Sequence, residues 1–316
     1  MKKAFEKLNL RDYGVLLGFL ALCIAISIAT PSFLGKQNIL NLLRQSSIIG
    51  IISAGMTFVI ISGNFDISVG AVAALAGAIT MKFATGGTNL FASMLLGVAI
   101  CAVIGLINGI VVAKINVPSL IATMAMVTIV RGFLLMLTGG YPITENIPIL
   151  DYIGNGYLFS IPIPVVIFFI VVLASFIVLN KTKFGRYVYS VGGNQEASKL
   201  NGINVDSHKV KVFIINAVLA GIAGIVLTGR LGTATAIAGE GYDMDAIASV
   251  VIGGTSVAGG SGSVLKTVIG VLLMSVINNS FNLLGIDVYF QYIFKGLIIL
   301  AAVGFDSYSK KKLASR

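Results

Sequence analysis

The chain has 316 residues, of which 57% are hydrophobic and only 11% are charged. Soluble domains carry about 25% charged residues, so this composition excludes a water-soluble protein of this size. The 22 basic residues against 12 acidic ones give a net charge of +10, which in so apolar a chain indicates basic cytoplasmic loops and not nucleic-acid binding.

Basic residues cluster in three regions: the N-terminus, the stretch 181–211 and the C-terminal tail. The positive-inside rule places all three in the cytoplasm, so an even number of spans must separate each pair. Long uncharged or nearly uncharged runs supply that parity, with six runs before 181–211 and four after it. They predict spans near 13–34, 46–63, 67–82, 90–113, 118–138, 161–180, 212–230, 244–259, 264–284 and 289–306.

These runs predict an all-α fold, a polytopic transmembrane helical bundle of about ten membrane segments in a single domain, 1–316. Both termini are expected in the cytoplasm. The third and eighth segments are short and rich in glycine, and the alternative is that they are half-spans, which leaves eight full helices. On the ten-span topology Lys36 and Arg44 lie outside, against the positive-inside rule, so the first connection is the weakest part of this topology.

Two connections on the predicted outer side, 139–160 and 231–243, contain acidic residues and no Lys or Arg. A weak internal echo links the two halves of the chain. Asp66 opens one run of small residues near the predicted inner face, and Asp245 opens another near the outer face. This placement fits an inverted-topology repeat, a frequent feature of transporters.

Polar side chains inside spans are costly unless they face protein or water, so they are candidates for a translocation path. The clearest are Asp66, Ser68, Asn108, Asn278, Asn279 and Asn282. Hydrogen bonding between helices is the alternative role for the asparagines. Arg131 and Lys295 either snorkel towards a membrane surface or take part in transport.

No catalytic chemistry is visible in the sequence. The glycine-rich stretch 259–267 has Leu265 directly before Lys266, where a phosphate-binding loop needs glycine, so we interpret it as a flexible turn. The only histidine, His208, has no Cys or second His nearby and is expected to be a solvated loop residue. We therefore expect no enzyme activity, no metal and no cofactor.

The stretch 181–211 is long and polar, and it contains a predicted short helix near 194–202. Asn194 is a good N-cap, Glu196 lies in the first turn where the helix dipole favours an anion, and Gly202 suits a left-handed stop. Ala197, Leu200 and Ile203 would form a small apolar face. Such a helix either docks into a groove on another protein or rests on lipid headgroups.

A resemblance to a known family favours docking of this helix into another protein. The run Gly185–Asn194 with Glu196-Ala197 and Gly202–Val205 resembles the coupling segment of ABC-importer permeases, in the branch for ribose, galactose and related monosaccharides. Asp66–Gly70, Asp245–Gly260 and Asn278-Asn279 agree in order along nearly the whole chain. Asn64-Phe65 departs from the glycine and aliphatic residue usual before that aspartate, so the sugar stays open.

The resemblance implies a permease subunit in the bacterial cytoplasmic membrane, embedded in the lipid bilayer and paired with a second copy of itself. An ATPase subunit with nucleotide-binding domains would lie on the cytoplasmic face, and an extracytoplasmic sugar-binding protein would deliver a monosaccharide. The implied ATPase-coupling residues are Gly193, Asn194, Glu196, Ala197, Leu200, Gly202 and Ile203. The alternatives are an ion-coupled secondary transporter of a small polar solute and a membrane protein with no transport role.

Overall fold

The computed structural model describes the backbone of residues 10–314 and the side chains of residues 17–304. The first half contains α1 (Leu10–Ala29), a 3-10 turn (Pro31–Leu34), α2 (Lys36–Ile61), α3 (Val69–Thr85), α4 (Leu90–Ala113) and α5 (Ser119–Thr138). A connecting segment follows, with β1 (Ile143–Thr144), α6 (Pro148–Asn155), β2 (Tyr157–Leu158) and β3 (Ile161–Pro162). The basic N-terminal residues 1–9 and the side chains of the basic tail lie outside the described part.

The second half contains α7 (Ile163–Lys181), α8 (Lys183–Gly193), α9 (Gln195–Leu200), α10 (Val205–Leu231), β4 (Thr233–Ala234), α11 (Tyr242–Ile252), α12 (Val264–Leu283) and α13 (Val288–Ala314). Six of the described helices, α2, α4, α5, α7, α10 and α12, are long and apolar enough to cross a membrane. The prediction of an all-α polytopic bundle is confirmed.

Two predicted spans are shorter than the sequence indicated. The first ends at Ala29 and not at 34, because Pro31 begins a separate 3-10 turn. The eighth, predicted over 244–259, is a helix of only 11 residues, α11, which is about 16 Å long and covers half of a bilayer core. It stops where Gly253 and Gly254 lead into the connection 253–263, so the half-span alternative holds for this segment.

α2 and α10 form the centre of the bundle. Almost every residue of α2 from Ser46 to Ile61 is buried, and α10 is buried along most of its length. α10 packs against α3 and α4 of the first half, whereas α2 packs against α11 and α12 of the second half. The central helix of each half therefore packs against the other half, and this arrangement agrees with an inverted repeat.

The connections separate into two ends of the bundle. At the strand end, β1 pairs with β4 in antiparallel fashion, so the two acidic connections predicted on one side do lie together. Arg44 is buried there, and its Nη2 donates to the Asn155 carbonyl at 3.0 Å with the guanidinium over the Tyr157 ring. Contacts within the protein therefore hold the Arg44 guanidinium, whose predicted outer position goes against the positive-inside rule. At the opposite, α8–α9 end, the connection 253–263 meets the end of α2.

Candidate functional site

A buried polar cluster lies where α3 begins. One Asp66 carboxylate oxygen accepts from the Ser68 amide at 2.9 Å and from its hydroxyl at 2.5 Å, and the other accepts from Asn216 Nδ2 at 2.9 Å. Asn108 Nδ2 donates to Ser68 Oγ at 3.1 Å. All four residues are at most 1% exposed. The cluster therefore ties the start of α3 to α4 and α10.

The contacts of Asp66, Ser68 and Asn108 agree with hydrogen bonding between helices, the alternative role given above for the asparagines. Their polar groups bind one another across helices, and none of the three faces open space. Asn216, on the central helix α10, is the fourth member and was missed by the sequence analysis. A polar residue inside a predicted span was the available signal for it.

A second polar cluster joins α11, α12 and α13. Lys295 Nζ lies 3.0 Å from both carboxylate oxygens of Asp245, and Asn278 Nδ2 donates to Asp245 Oδ2 at 3.4 Å. Lys295 does not snorkel, because its ammonium forms an ion pair with a buried carboxylate. Asp245 and Lys295 belong to this site together with the predicted Asn278.

The starts of the two short helices meet inside the bundle. A Cβ placed on Gly239 would lie 2.7 Å from the carbonyl oxygen of Gly70, so the two backbones touch. The sequence placed Asp66 at the inner face and Asp245 at the outer face. In the structure both helix starts reach the interior, because glycines at the crossing allow close contact, and both carboxylates are buried beside polar partners.

The other two asparagines of the predicted path have separate partners. Asn279 and Asn38 exchange two amide hydrogen bonds of 2.8 and 3.0 Å between α12 and α2. Asn282 Oδ1 accepts from Gln291 Nε2 of α13 at 3.2 Å. Asn282 lies one helical turn beyond Asn278, so α12 and α13 share two successive polar layers.

Two further residues differ from their expected environments. Arg131 does not snorkel, because it donates to the carbonyls of Ala236 and Ala238 in the connection before α11. His208 is not a solvated loop residue. It lies in the first turn of α10, where its ring stacks on Phe184 with a centroid distance of 5.7 Å.

The predicted short helix at the α8–α9 end is confirmed as α9. The Asn194 side chain caps it by accepting from the Ala197 amide at 2.9 Å, and Gly202 ends the turn with a φ of 76°. Gly193 belongs to the preceding helix, α8, which the sequence analysis treated as loop. The expected apolar face is not packed: Ala197 is exposed, Leu200 is 89% exposed, and Ile203 is half-buried.

The inner side of α9 is held to α8 by a polar contact. The Ser190 and Ser198 hydroxyls lie 2.9 Å apart, and Ser198 is the buried residue of α9. Glu196 and Lys199 remain on the solvent side, where their charged groups are 3.5 Å apart. α9 therefore presents Glu196, Ala197 and Leu200 outward from a fixed base.

Five glycines join α8 to the membrane helices; we call them the glycine junction. They are Gly63, Gly192, Gly193, Gly259 and Gly260. A Cβ on Gly260 would lie 2.7 Å from the Gly193 Cα, and one on Gly259 would lie 2.8 Å from the Gly192 carbonyl oxygen. The Gly260 amide also donates to the Ile61 carbonyl at 2.8 Å, which links the end of α2.

Tyr189 adds a side-chain contact to the glycine junction. Its hydroxyl donates to the Gly262 carbonyl at 3.0 Å, and burial raises the pKa of that hydroxyl above its usual value. The hydroxyl therefore stays protonated and able to donate at neutral pH. The connection 253–263 is thus fastened to α8 and α2, which differs from the flexible turn expected from its glycines.

A bundle of long apolar helices with buried polar clusters and an exposed capped helix at one end defines a multi-pass membrane permease. The chain belongs to the family described as the permease component of branched-chain amino acid transport systems, whose profile matches residues 38–303. Its relatives are transport components and not enzymes.

Three relatives show how far the similarity extends. The ribose import permease of Haemophilus influenzae is 44% identical, with 93% of this chain and 94% of the relative covered. The ribose import permease of Bacillus subtilis is 42% identical, with 94% and 93% covered. The xylose transport system permease of Haemophilus influenzae is 34% identical, with 98% and 99% covered. No solved structure matches the chain.

Proposed function

We propose that this chain is the membrane-spanning subunit of an ATP-driven ABC importer that carries a monosaccharide, ribose or a related pentose, into the cytoplasm. Similarity to ribose and xylose permeases over nearly the whole chain supports the substrate class. The permease uses no cofactor, and a separate partner hydrolyses the ATP. It lies in the bacterial cytoplasmic membrane as one domain, 1–316, with both termini and the segment 181–211 in the cytoplasm.

The exposed helix α9 is the observation that carries this proposal. Leu200 is 89% exposed and Ala197 is exposed beside it, on a helix whose other side is fastened to α8 through Ser198 and to α10 through Gln195. An apolar tip with a rim of Glu196 and Lys199 suits a groove on a partner protein. The proposed ATPase-coupling residues are Gly193, Asn194, Glu196, Ala197, Leu200, Gly202 and Ile203.

The energy is transmitted mechanically in this proposal. ATP binding draws the two nucleotide-binding domains together, and their closure moves α9 and α8. Because the glycine junction joins α8 to the end of α2 and to the connection before α12, the same motion reaches the membrane helices. The bundle then alternates between outward-open and inward-open states.

The remaining partners lie across the membrane and beside the chain. A second copy of the permease completes the pore. A sugar-binding protein delivers the substrate at the strand end, where Glu145, Asp151 and Glu240 are exposed. These carboxylates would meet basic residues on the delivery protein and would mainly set the association rate and the register of docking.

Replacement of Leu200 by Asp tests the coupling assignment. A charge at the tip of α9 cannot enter an apolar groove, so we expect sugar uptake to fall at least tenfold while the protein stays inserted and folded. Substitution of Glu196 or Gly202 should likewise separate ATP hydrolysis from uptake. Lys211→Ala, an exposed position near α9 but off it, is the matched control. Normal uptake by Leu200→Asp would remove the coupling role of α9.

The rival is a secondary transporter driven by protons or sodium. It needs a titrating carboxylate in the path, and Asp66 was the one arguable candidate. Asp66 is enclosed by hydrogen bonds from Ser68 and Asn216 and is 1% exposed, which disfavours that role. Uptake into vesicles that requires ATP and survives a protonophore supports the importer. The reverse pattern supports the rival.

A further inference from the structure

Three polar side chains converge from three helices at the α11–α12–α13 cluster. Asp245 and Asn278 are 3% and 4% exposed, whereas the Lys295 side chain retains 21% of its exposure. Lys295 is seven residues into α13, about 10 Å along the helix from its start, and therefore at membrane depth. The cluster is thus buried on two sides and open on the side of Lys295.

Some hydrogen-bond donors and acceptors of this cluster have no partner among the described residues. Asn278 Oδ1 is a buried acceptor that receives no hydrogen bond from any described residue, and Asp245 Oδ1 has only the Lys295 ammonium beside it, at 3.0 Å. Lys295 Nζ has three N–H groups, and among the described residues only Asp245 accepts from it. Buried acceptors are normally satisfied by protein or an ordered group, because an unmade bond costs its full desolvation. The cluster therefore offers acceptors and donors together.

A second polar layer leads from the cluster towards the strand end. Asn282 is one turn from Asn278 on α12, and Gln291 is one turn before Lys295 on α13. Their side chains meet at 3.2 Å between Gln291 Nε2 and Asn282 Oδ1. This layer lies at the adjoining ends of α12 and α13, so it connects the strand end to the buried cluster as a route for a polar solute would.

We propose that Asp245, Asn278 and Lys295 form a sugar-binding site in the translocation path, reached along the seam between α12 and α13. Two hydroxyls of a monosaccharide donate to Asp245 Oδ1 and Asn278 Oδ1, and the Lys295 ammonium donates to a hydroxyl or ring oxygen. Neutral polyhydroxy solutes fit this mixture of acceptors and donors better than anions do, because the Asp245 carboxylate repels anions. This site rests on the proposed function and adds residues for its substrate.

The competing explanation is that the ion pair only fastens α13 to α11. An exchange of the two charges separates the explanations. Asp245→Lys combined with Lys295→Asp keeps the ion pair but moves the carboxylate away from Asn278. The substrate-site proposal predicts that the exchanged protein is as heat-stable as the original and takes up D-ribose at least tenfold more slowly. If the ion pair is only a tether, the charge-exchanged protein should take up D-ribose normally once its stability is restored.

The experiment uses the complete complex, permease with ATPase and sugar-binding protein, in proteoliposomes with D-ribose as the probe. Asn278→Leu and the more exposed Asn282→Leu accompany the exchange, so that one variant folds if another fails. We expect each to lower the number of sugars moved per ATP hydrolysed. Thr57→Val, which breaks the buried 2.9 Å contact to Thr267 elsewhere on α12, should leave that ratio within twofold.

Three outcomes would contradict the binding site or the proposed function. Normal ribose uptake by the charge-exchanged protein or by Asn278→Leu overturns the binding site while the importer stands. An original complex that hydrolyses ATP but moves no ribose, xylose or arabinose contradicts the proposed function itself. A loss of uptake that follows the thermal midpoint in every variant, Thr57→Val included, identifies a structural role only and also overturns the site.

Discussion

Asp66 is the residue on which the first polar cluster depends. It accepts hydrogen bonds from the Ser68 amide, the Ser68 hydroxyl and Asn216, all inside the bundle. In Asp66→Ala these donors lose their acceptor where water cannot replace it, at a cost of about 1–3 kcal/mol for each group left unpaired. We expect a clearly lower thermal midpoint for the purified protein in detergent.

The control for this prediction is Glu145→Ala, which removes an exposed carboxylate at the strand end. Its midpoint should match that of the unaltered protein. If Asp66→Ala and Glu145→Ala unfold at the same temperature, Asp66 does not hold α3 to α10. At this scale, the sequence identified Asp66, Ser68 and Asn108 as costly polar residues within spans. It could not pair them with Asn216, because that contact joins positions 150 residues apart.

The glycine junction shows how an element can transmit motion through backbone contact alone. Gly192 lies so close to Ile61 and Gly260 that an added Cβ would overlap the Ile61 carbonyl oxygen and lie 2.8 Å from the Gly260 nitrogen. Gly192→Ala must therefore push α8 away from the end of α2. We expect ATP hydrolysis by the complex to persist with sugar uptake reduced at least tenfold.

Gly132→Ala is the matched control, since Gly132 is also helical but has no atom within 4 Å of the added Cβ. It should transport normally. Equal uptake by the two variants, measured with radiolabelled sugar in proteoliposomes, would show that α8 does not act through the junction. Complete unfolding of Gly192→Ala would instead make the junction a packing requirement.

The helix boundaries show which elements a sequence can predict. α9 was predicted correctly because its signals are local: Asn194 caps it and Gly202 stops it within nine residues. α8 was missed because its amphipathic run reads as a polar loop between spans. α11 was overextended because the uncharged run continues after Ile252 into a glycine-rich connection that tertiary contacts, not propensity, hold in place.

At the scale of the whole molecule, the two halves of the chain interlock through their central helices. α2 and α10 each pack on the opposite half, and the short helices α3 and α11 start side by side in the interior. In the proposed mechanism, motion at the α8–α9 end would reach both halves through α2 and the connection 253–263. The order of the apolar helices could be predicted from hydropathy, but this exchange of central helices depends on contacts that hydropathy does not contain.

The central claim is that α8 and α9 face the cytoplasm, where an ATPase can grip them. The native cysteines, Cys23 and Cys101, are first replaced by Ser, and single cysteines are then placed at Asn201 beside α9 and at Glu145 in the strand-end connection. In intact cells a membrane-impermeant maleimide should label Glu145→Cys at once and Asn201→Cys only after permeabilisation. Labelling of Asn201→Cys in intact cells, with Glu145→Cys protected, would contradict the account.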